Sequence, residues 1–521
     1  MAEIILLIIL YTSIIISAKD CVPRNFGDDS NVCVCNATYC DSVILQLPHN
    51  RQFRIYESSK SGQRLQSRLD YFDTMMENDI KLYLQLEKKY QTIHGFGGAF
   101  TDSAGINIKS LSNSTQEKLL QSYFDEGGSK YNLGRVPVGG TDFSTRPYTL
   151  DDTPEDISLK NFSLTKEDTD YKIPFMKRAL EMNNELNFIA ASWTAPPWMK
   201  TNNNYTGFLG FLKQQHYQIY AEYLVKFLEL YKIRGLKIWA ISTGNEPANA
   251  FVPELVKFND MGWTPNTVTP WVINNLGPTI NNSTSNETII LALDDQRFDL
   301  PWYIQAMYEY SNEIDKYIAG IATHWYMDNY FSIDLYDRTH SAFPNKFLLM
   351  TEACTGSASW DIPKVRLGSW QRGERYITSI IDDLNHWVTG WVDWNLVLNE
   401  EGGPNWAGNF VDSPIIVNSK KDEFYKQPMY YAIAHFSKFI PRGSTRIDLS
   451  PHIDIRSVAF ITPDDTIVIV LYNMYVLTNS FLKRCSKLSV TSRSFHASST
   501  TFIYTQILLI LLIFYHFYPS H

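Results

Sequence analysis

Apolar runs that stop abruptly at polar residues recur along this chain. Candidate strands lie at Thr92–Phe96, Leu133–Val138, Phe188–Trp193, Ile238–Glu246, Ile289–Asp294, Ile321–Trp325, Phe347–Glu352 and Gly390–Trp394. An apolar run without alternation reads as a strand buried on both faces, the habit of parallel sheets. Between these runs lie stretches of helical periodicity, such as Ile173–Met182, Gln214–Lys232 and Arg375–Leu384. Eight strands alternating with amphipathic helices predict an α/β chain closed into a (β/α)8 TIM barrel, residues 93–395 with 428–443.

Residues Phe53–Leu86 and Ser444–Tyr504 alternate like antiparallel strands, and Ile467-Val-Ile-Val-Leu-Tyr472 is the clearest strand there. They predict antiparallel strands of one β-sandwich, discontinuous in sequence, over 46–92 and 444–505. Residues 19–45 and 396–427 are assigned to a small antiparallel β module with two disulfides. The final run Ile503–Tyr518 is nearly all apolar. It is short of the roughly 20 residues of a membrane span. It also lacks the polar spacer of a lipid-anchor signal. The reading preferred here is an appended tail, residues 506–521, after a sandwich strand ending near Tyr504.

Composition narrows the class. A chain of 521 residues that is 44% hydrophobic can bury a large core, and a net charge of −9 argues against nucleic acid as a partner. Ile4–Ile16 is apolar and is followed by Ser17-Ala18, which predicts a signal peptide over residues 1–18; Glu3 and the absence of Lys or Arg ahead of the run depart from the usual pattern. Four cysteines, Cys21, Cys33, Cys35 and Cys40, cluster directly after it. Two local disulfides suit a secreted chain; zinc is the rival, but the usual Cys-x2-Cys spacing is missing. Sequons at Asn36, Asn113, Asn161, Asn204, Asn282 (with the overlapping Asn281) and Asn286 fit the same route.

Two glutamates carry the candidate chemistry. Glu246 ends Leu236-Lys-Ile-Trp-Ala-Ile-Ser-Thr-Gly-Asn-Glu, and Glu352 ends Lys346-Phe-Leu-Leu-Met-Thr-Glu. Asn-Glu-Pro alone is a weak signal, compatible with Pro247 opening a helix. Both glutamates nevertheless close apolar runs of one barrel pattern, at the edge where barrels build active sites. Two carboxylates there can serve as acid and nucleophile on one glycosidic bond. Cys354 reads as a buried free thiol, His324 as a strand-end histidine, and Cys485 has no assignment.

Longer motifs add a family. Cys33-Val-Cys-Asn-Ala-Thr-Tyr-Cys-Asp-Ser42, Gly95-Phe-Gly-Gly98, Asn245-Glu-Pro247, Leu293-Asp-Asp-Gln-Arg297, His324-Trp-Tyr326, Val365-Arg-Leu-Gly-Ser-Trp370, Gly402-Gly-Pro-Asn-Trp406 and Asn409-Phe-Val-Asp-Ser-Pro414 together resemble glycoside hydrolase family 30, from Cys21 to about Leu471. The resemblance implies a retaining β-glucosidase acting on glucosylceramide, with Glu246 as acid/base and Glu352 as nucleophile. Glu246 is then expected to be protonated while Glu352 is ionised. The resemblance further implies that Asn245 donates to the sugar 2-hydroxyl, Asp142 accepts from sugar hydroxyls, Trp193 and Trp394 flank the ring, and Asn409 sits at the rim. Arg135 and Tyr326 support the carboxylates. Disulfides Cys21–Cys33 and Cys35–Cys40 are implied, as are an anionic lipid surface, a saposin-type activator and a lysosomal sorting receptor as partners. The location implied is the lysosome lumen, membrane-associated and reached by secretion; no metal or cofactor is expected. Gly139-Gly140-Thr141, the loop Asn249–Asp260 and the segment from Asn473 onward depart from the family pattern. The competing readings are a secreted, extracellular family 30 hydrolase of another β-glycoside and an inactive carbohydrate- or lipid-binding relative. Intact glutamates disfavour the latter.

Overall fold

A computed structural model describes residues 18–49, 52–71, 81–252, 257–473, 489–492 and 509–515, the last two segments by their backbone. Most of the expected leader, Cys485 and the surroundings of Tyr504 lie outside these residues.

Eight parallel strands close into a barrel: Gly95–Ala99, Leu133–Val138, Asn187–Ser192, Ile238–Ser242, Ile289–Gln296, Ile318–His324, Phe347–Glu352 and Val388–Asn395. Leu133, Ile189, Ala240, Leu291, Ala322, Leu349 and Val392, one from each of the last seven strands, pack together. The first strand contributes glycine because closure leaves no room: a Cβ on Gly97 would lie 1.7 Å from the Leu133 carbonyl oxygen. That strand starts later than the sequence reading placed it, since Thr92 ends the sandwich strand Lys81–Thr92. The fourth strand ends at Ser242, so Glu246 lies beyond it on a turn, at φ 43°, and Pro247 opens a short 3-10 helix, Pro247–Phe251.

The helices match their periodicity closely. Ile173–Met182, Tyr217–Ile233 and Trp370–Asn385 each put apolar residues on the barrel. Among the described residues no helix is long and apolar enough to cross a membrane.

The second layer is an eight-stranded sheet in the order 489–492, 81–92, 445–449, 455–461, 467–473, 509–515, 52–59, 66–71. Phe53 and Ile55, near one edge, share a core with Leu82 and Leu84, near the other, so the sheet curls over on itself. In the strand Ile467–Asn473 the odd residues Ile467, Ile469 and Leu471 face that core. The even residues Val468, Val470 and Tyr472 join the cluster that includes the barrel helices. Both faces are therefore buried, which is why no polar alternation survives there.

The C-terminal run corrects the reading of an appended tail. Leu509–Tyr515 forms a strand that pairs in parallel with Ile467–Asn473 on one side and with Arg54–Ser59 on the other. Ser489–Ser492 also pairs in parallel with the strand Lys81–Thr92, so the sandwich is not purely antiparallel.

The N-terminal module is a five-stranded sheet built from Pro23–Arg24, Val32–Asn36, Val397–Asn399, Ile415–Asn418 and Glu423–Lys426. Its pair Val397–Asn399 with Ile415–Asn418 is parallel, against the antiparallel expectation, because the chain crosses over between them. Cys21 bridges Cys33, and Cys35 bridges Cys40.

Removing residues 507–521 takes out a strand paired on both sides and leaves two inner edges open. The truncated protein is expected to unfold at least about 2 °C lower, since in a chain this long each kcal/mol shifts the midpoint by only about 1–2 °C. An unchanged thermal midpoint would remove that strand from the fold.

Candidate active site

Arg135, fully buried on the second strand, is where the site is assembled. One terminal nitrogen donates to Glu352 Oε2. The other donates to Asn245 Oδ1 at 2.7 Å and to Asp294 Oδ2 at 2.9 Å. Its guanidinium also lies 4.8 Å from the ring centre of Trp193 and 5.5 Å from that of Trp394. Three elements of the barrel are thus tied to one planar cation, whose rigid forked donors fix their directions better than the rotatable donors of an ammonium would.

Glu352 ends the seventh strand, and its Oε1 accepts from the Tyr326 hydroxyl at 2.8 Å. That hydroxyl is 3.5 Å from Sγ of Cys354, a buried free thiol. Glu246 is held from three directions. Oε1 accepts from Gln296 Nε2 at 2.9 Å and meets His324 Nδ1 at 3.0 Å; Oε2 accepts from Asn249 Nδ2 at 2.8 Å. One ligating atom each of Glu246, His324 and Glu352 lie within 4.8 Å of one another. The fold therefore brings the two glutamates face to face at the carboxyl-terminal rim.

His324 is more than a strand-end residue. Its Nε2 meets Asp294 Oδ1 at 3.2 Å, so a carboxylate flanks each ring nitrogen. To donate to both, the ring must carry two protons. Burial opposes that charge, but Glu352, Asp294 and Glu246 raise the imidazolium to about 10. Asp294, which also accepts from Thr351 at 2.6 Å, is driven well below the carboxylate range because Arg135 and His324 outweigh its burial.

The surroundings act differently on the two glutamates. Burial lifts Glu246, but His324, Asn249 and Arg135 more than offset it and leave it below its ordinary value. Burial lifts Glu352 and the charge of Glu246 adds to this, so that His324, Arg135 and Tyr326 do not bring it back down.

Asp142, on the loop after the second strand, accepts from Asn409 at 3.0 Å and Asn405 at 3.2 Å. Both amides come from the segment that links to the N-terminal module. Burial first, and the charge of Glu352 with it, pushes Asp142 up to about 7. Trp193 and Trp394 stack on each other, with ring centres 5.1 Å apart and planes at 21°. They cannot flank a pyranose between them and instead form one aromatic wall.

Asp294, Gln296 and Asn249 carried no role in the sequence reading. Asp294 faces inward because the fifth strand bulges between Leu293 and Asp295, where Leu293 and Asp294 have φ of 72° and 62°. The only available signal was the Asp-Asp-Gln run at a strand end.

A (β/α)8 barrel with two carboxyls paired at its rim, an aromatic wall beside them and a buried arginine behind defines a glycoside hydrolase class of site. The glycosyl hydrolase family 30 TIM-barrel domain matches residues 93–440, and the family 30 beta sandwich domain matches residues 443–479. The chain belongs to glycoside hydrolase family 30. It is 46% identical over 466 residues to lysosomal acid glucosylceramidase of Mus musculus, covering 88% of this chain and 90% of that one. Among solved structures, SrfJ from Salmonella typhimurium superposes with a TM-score of 0.73 at 27% identity, over 80% of this chain and 90% of that one. The endo-β1,6-glucanase BT3312 gives 0.67 at 28% identity, over 77% and 88%.

Replacing Arg135 by Lys keeps the charge but not the three-way fork. The kcat/KM of Arg135→Lys is expected to fall at least about 100-fold, the scale of a small misplacement at a reacting centre. A loss under threefold would deny Arg135 its organising role.

Buried carboxyls also give the fold a pH dependence. Asp142, Asp299 and Asp328 are pushed up to about 7 and Asp295 to about 8, in each case by burial first. Their folded values exceed the unfolded ~3.9. The folded protein therefore holds extra protons between those limits, and stability falls as pH rises through the window. His324 acts in the same sense between about 6.5 and its folded value of about 10. His94 and His435, lowered by burial to about 4 and about 3, oppose this below about 6.5; Lys438, lowered to about 7, opposes it above that. The carboxyls outnumber these groups. The thermal midpoint is expected to be higher at pH 5 than at pH 8, and the reverse order would contradict the assignment.

Proposed function

We propose that this enzyme is a retaining β-glucosidase that hydrolyses glucosylceramide to glucose and ceramide. The observation that carries the reading is the close pairing of Glu246 and Glu352, each held by donors that fix its direction. A spacing this short leaves no room for a water between acid and nucleophile, as inversion would require, and suits double displacement.

In the first step a carboxylate oxygen of Glu352 attacks the anomeric carbon. The glycosidic C–O bond breaks, and Glu246 gives its proton to the departing oxygen, so ceramide leaves as the alcohol. The sugar prepares this state. Positive charge developing at the anomeric carbon beside Glu352 favours its ionised form, and that negative charge in turn favours the protonated form of Glu246. In the second step Glu246, now a carboxylate, takes a proton from water. The water oxygen attacks the same carbon, and the bond to Glu352 breaks.

Asn245, whose Oδ1 is taken by Arg135, offers its Nδ2 to the sugar 2-hydroxyl. Asp142, with Asn409 and Asn405, receives hydroxyls farther round the ring. The Trp193–Trp394 wall receives one apolar C–H face of glucose.

The setting follows the same reading: secretion behind a leader, glycosylation and work in the lysosome lumen. Asn113, Asn161, Asn204, Asn282 and Asn286 are exposed, and Asn36 is partly exposed. A lipid surface as partner is supported by Phe208, Phe251, Tyr330, Trp360 and Ile362. These are exposed on loops that follow the third, fourth, sixth and seventh strands, around the mouth. An activator of saposin type and a sorting receptor belong to this proposal by resemblance. A second reading, hydrolysis of a β-1,6-glucan, has the glucanase likeness behind it.

Side-by-side turnover of glucosylceramide, an aryl β-glucoside and a β-1,6-glucan decides between these readings; clear preference for the glucan would replace the lipid. Glu352→Gln is expected to lose activity by at least about 10⁴-fold on every substrate. Retention of even a tenth of parent activity would sink the nucleophile assignment. Glu246→Ala should spare activated aryl glucosides, which need no proton, and should yield β-glucosyl azide when azide is added. Equal loss on good and poor leaving groups would deny Glu246 the acid role.

A further inference from the structure

The acid/base is clamped by a residue of its own turn. Glu246 stands at φ 43° at the head of the 3-10 helix Pro247–Phe251. Its carbonyl accepts the backbone N–H of Asn249 at 3.0 Å. The side-chain amide of Asn249 then returns to Glu246 Oε2 at 2.8 Å. A three-residue loop is closed twice, once through the backbone and once through the functional carboxyl. Gln296 and His324 both reach the other oxygen, Oε1. Among the described residues Asn249 is the partner on Oε2, and without it Glu246 is held through Oε1 alone. Asn249 also begins the loop that departs from the family pattern, so this contact need not be shared by relatives.

We propose that Asn249 is a positioning residue for the acid/base: its amide fixes Oε2 and favours the ionised carboxylate, and so sets part of the upper pH limit of activity. The inference rests on Glu246 being the acid/base. An N–H donor stabilises a carboxylate and not a carboxylic acid oxygen that carries the proton. Other charged and titratable groups act on Glu246 too. His324 and Arg135 favour its ionised form, and Glu352 and Asp295 oppose it; Tyr326 faces the same space. Asp294 acts through His324. All of these stay in place when Asn249 is changed, which makes its contribution separable.

The test is the pH profile of kcat/KM on a substrate with a poor leaving group, where Glu246 must supply a proton. Asn249→Ala is expected to move the basic limb up by about 0.5–1 pH unit, the scale of one lost hydrogen bond to a carboxylate. Asn249→Asp places a carboxylate against Oε2 and is expected to move it further in the same direction. A merely structural role predicts a lower thermal midpoint and an activity loss equal at all pH values, with the limb unmoved; that result overturns the proposal. Should the alanine variant not fold, Asn249→Leu, close to asparagine in shape but without the donor and without a charge, keeps the backbone bond and decides alone: a shift below about 0.2 unit overturns the proposal. Glu246→Ala with azide, run alongside, separates the two claims. If no glucosyl azide forms, the acid/base reading fails; if it forms and the limb does not move in the Asn249 variants, only the inference on Asn249 fails.

Discussion

One buried guanidinium organises this active site. Arg135 has no exposed surface, yet it carries a full charge inside the barrel. That is tolerable only because Glu352, Asp294 and Asn245 converge on it and two indole faces lie beside it. Removing one partner of such a buried pair typically costs about 3–5 kcal/mol, since an uncompensated charge is left behind. The ends of the second, fifth and seventh strands and the loop after the fourth are therefore fixed relative to each other by electrostatics as well as by barrel closure. The carboxyls are held face to face because the cation behind them, tied to Glu352 directly and to Glu246 through Asp294 and His324, is fixed in place.

From that constraint the polar network grows outward. Asp294 takes one side of Arg135 and hands its second oxygen to His324, which in turn meets Glu246. Charge alternates along this path, so each group is stabilised by its neighbours in a region that would otherwise expel all of them. The bulge at Leu293–Asp295, and the positive φ of Leu293, Asp294 and Glu246, are the local backbone strain that the network over-determines.

Much of this was legible in the chain. Strands buried on both faces, such as Phe347–Glu352, carry unbroken apolar runs, and helices such as Ile173–Met182 carry their period plainly. Glu352 could be located because it ends such a run. Glu246 was located in the same way, though its strand stops four residues earlier at Ser242 and the carboxyl sits on the turn beyond. Asp294 and His324 were undervalued for a physical reason: a bulge reverses the inside–outside alternation, and no periodicity records it. The two tryptophans were found, but their mutual stacking depends on the spacing of the third and eighth strands across the barrel. The strand Leu509–Tyr515 looked like a tail because its partners lie far away in sequence, at 467–473 and 54–59.

In the proposed mechanism Glu352 carries glucose covalently during turnover. A 2-deoxy-2-fluoro-β-glucoside with a good leaving group should glucosylate the enzyme faster than water can release it. Peptide mapping by mass spectrometry then locates the label. A stoichiometric 2-fluoroglucosyl ester is expected on Glu352, in the peptide containing Thr351-Glu352-Ala353. A label on any other carboxylate, or rapid turnover with no covalent species, would contradict it.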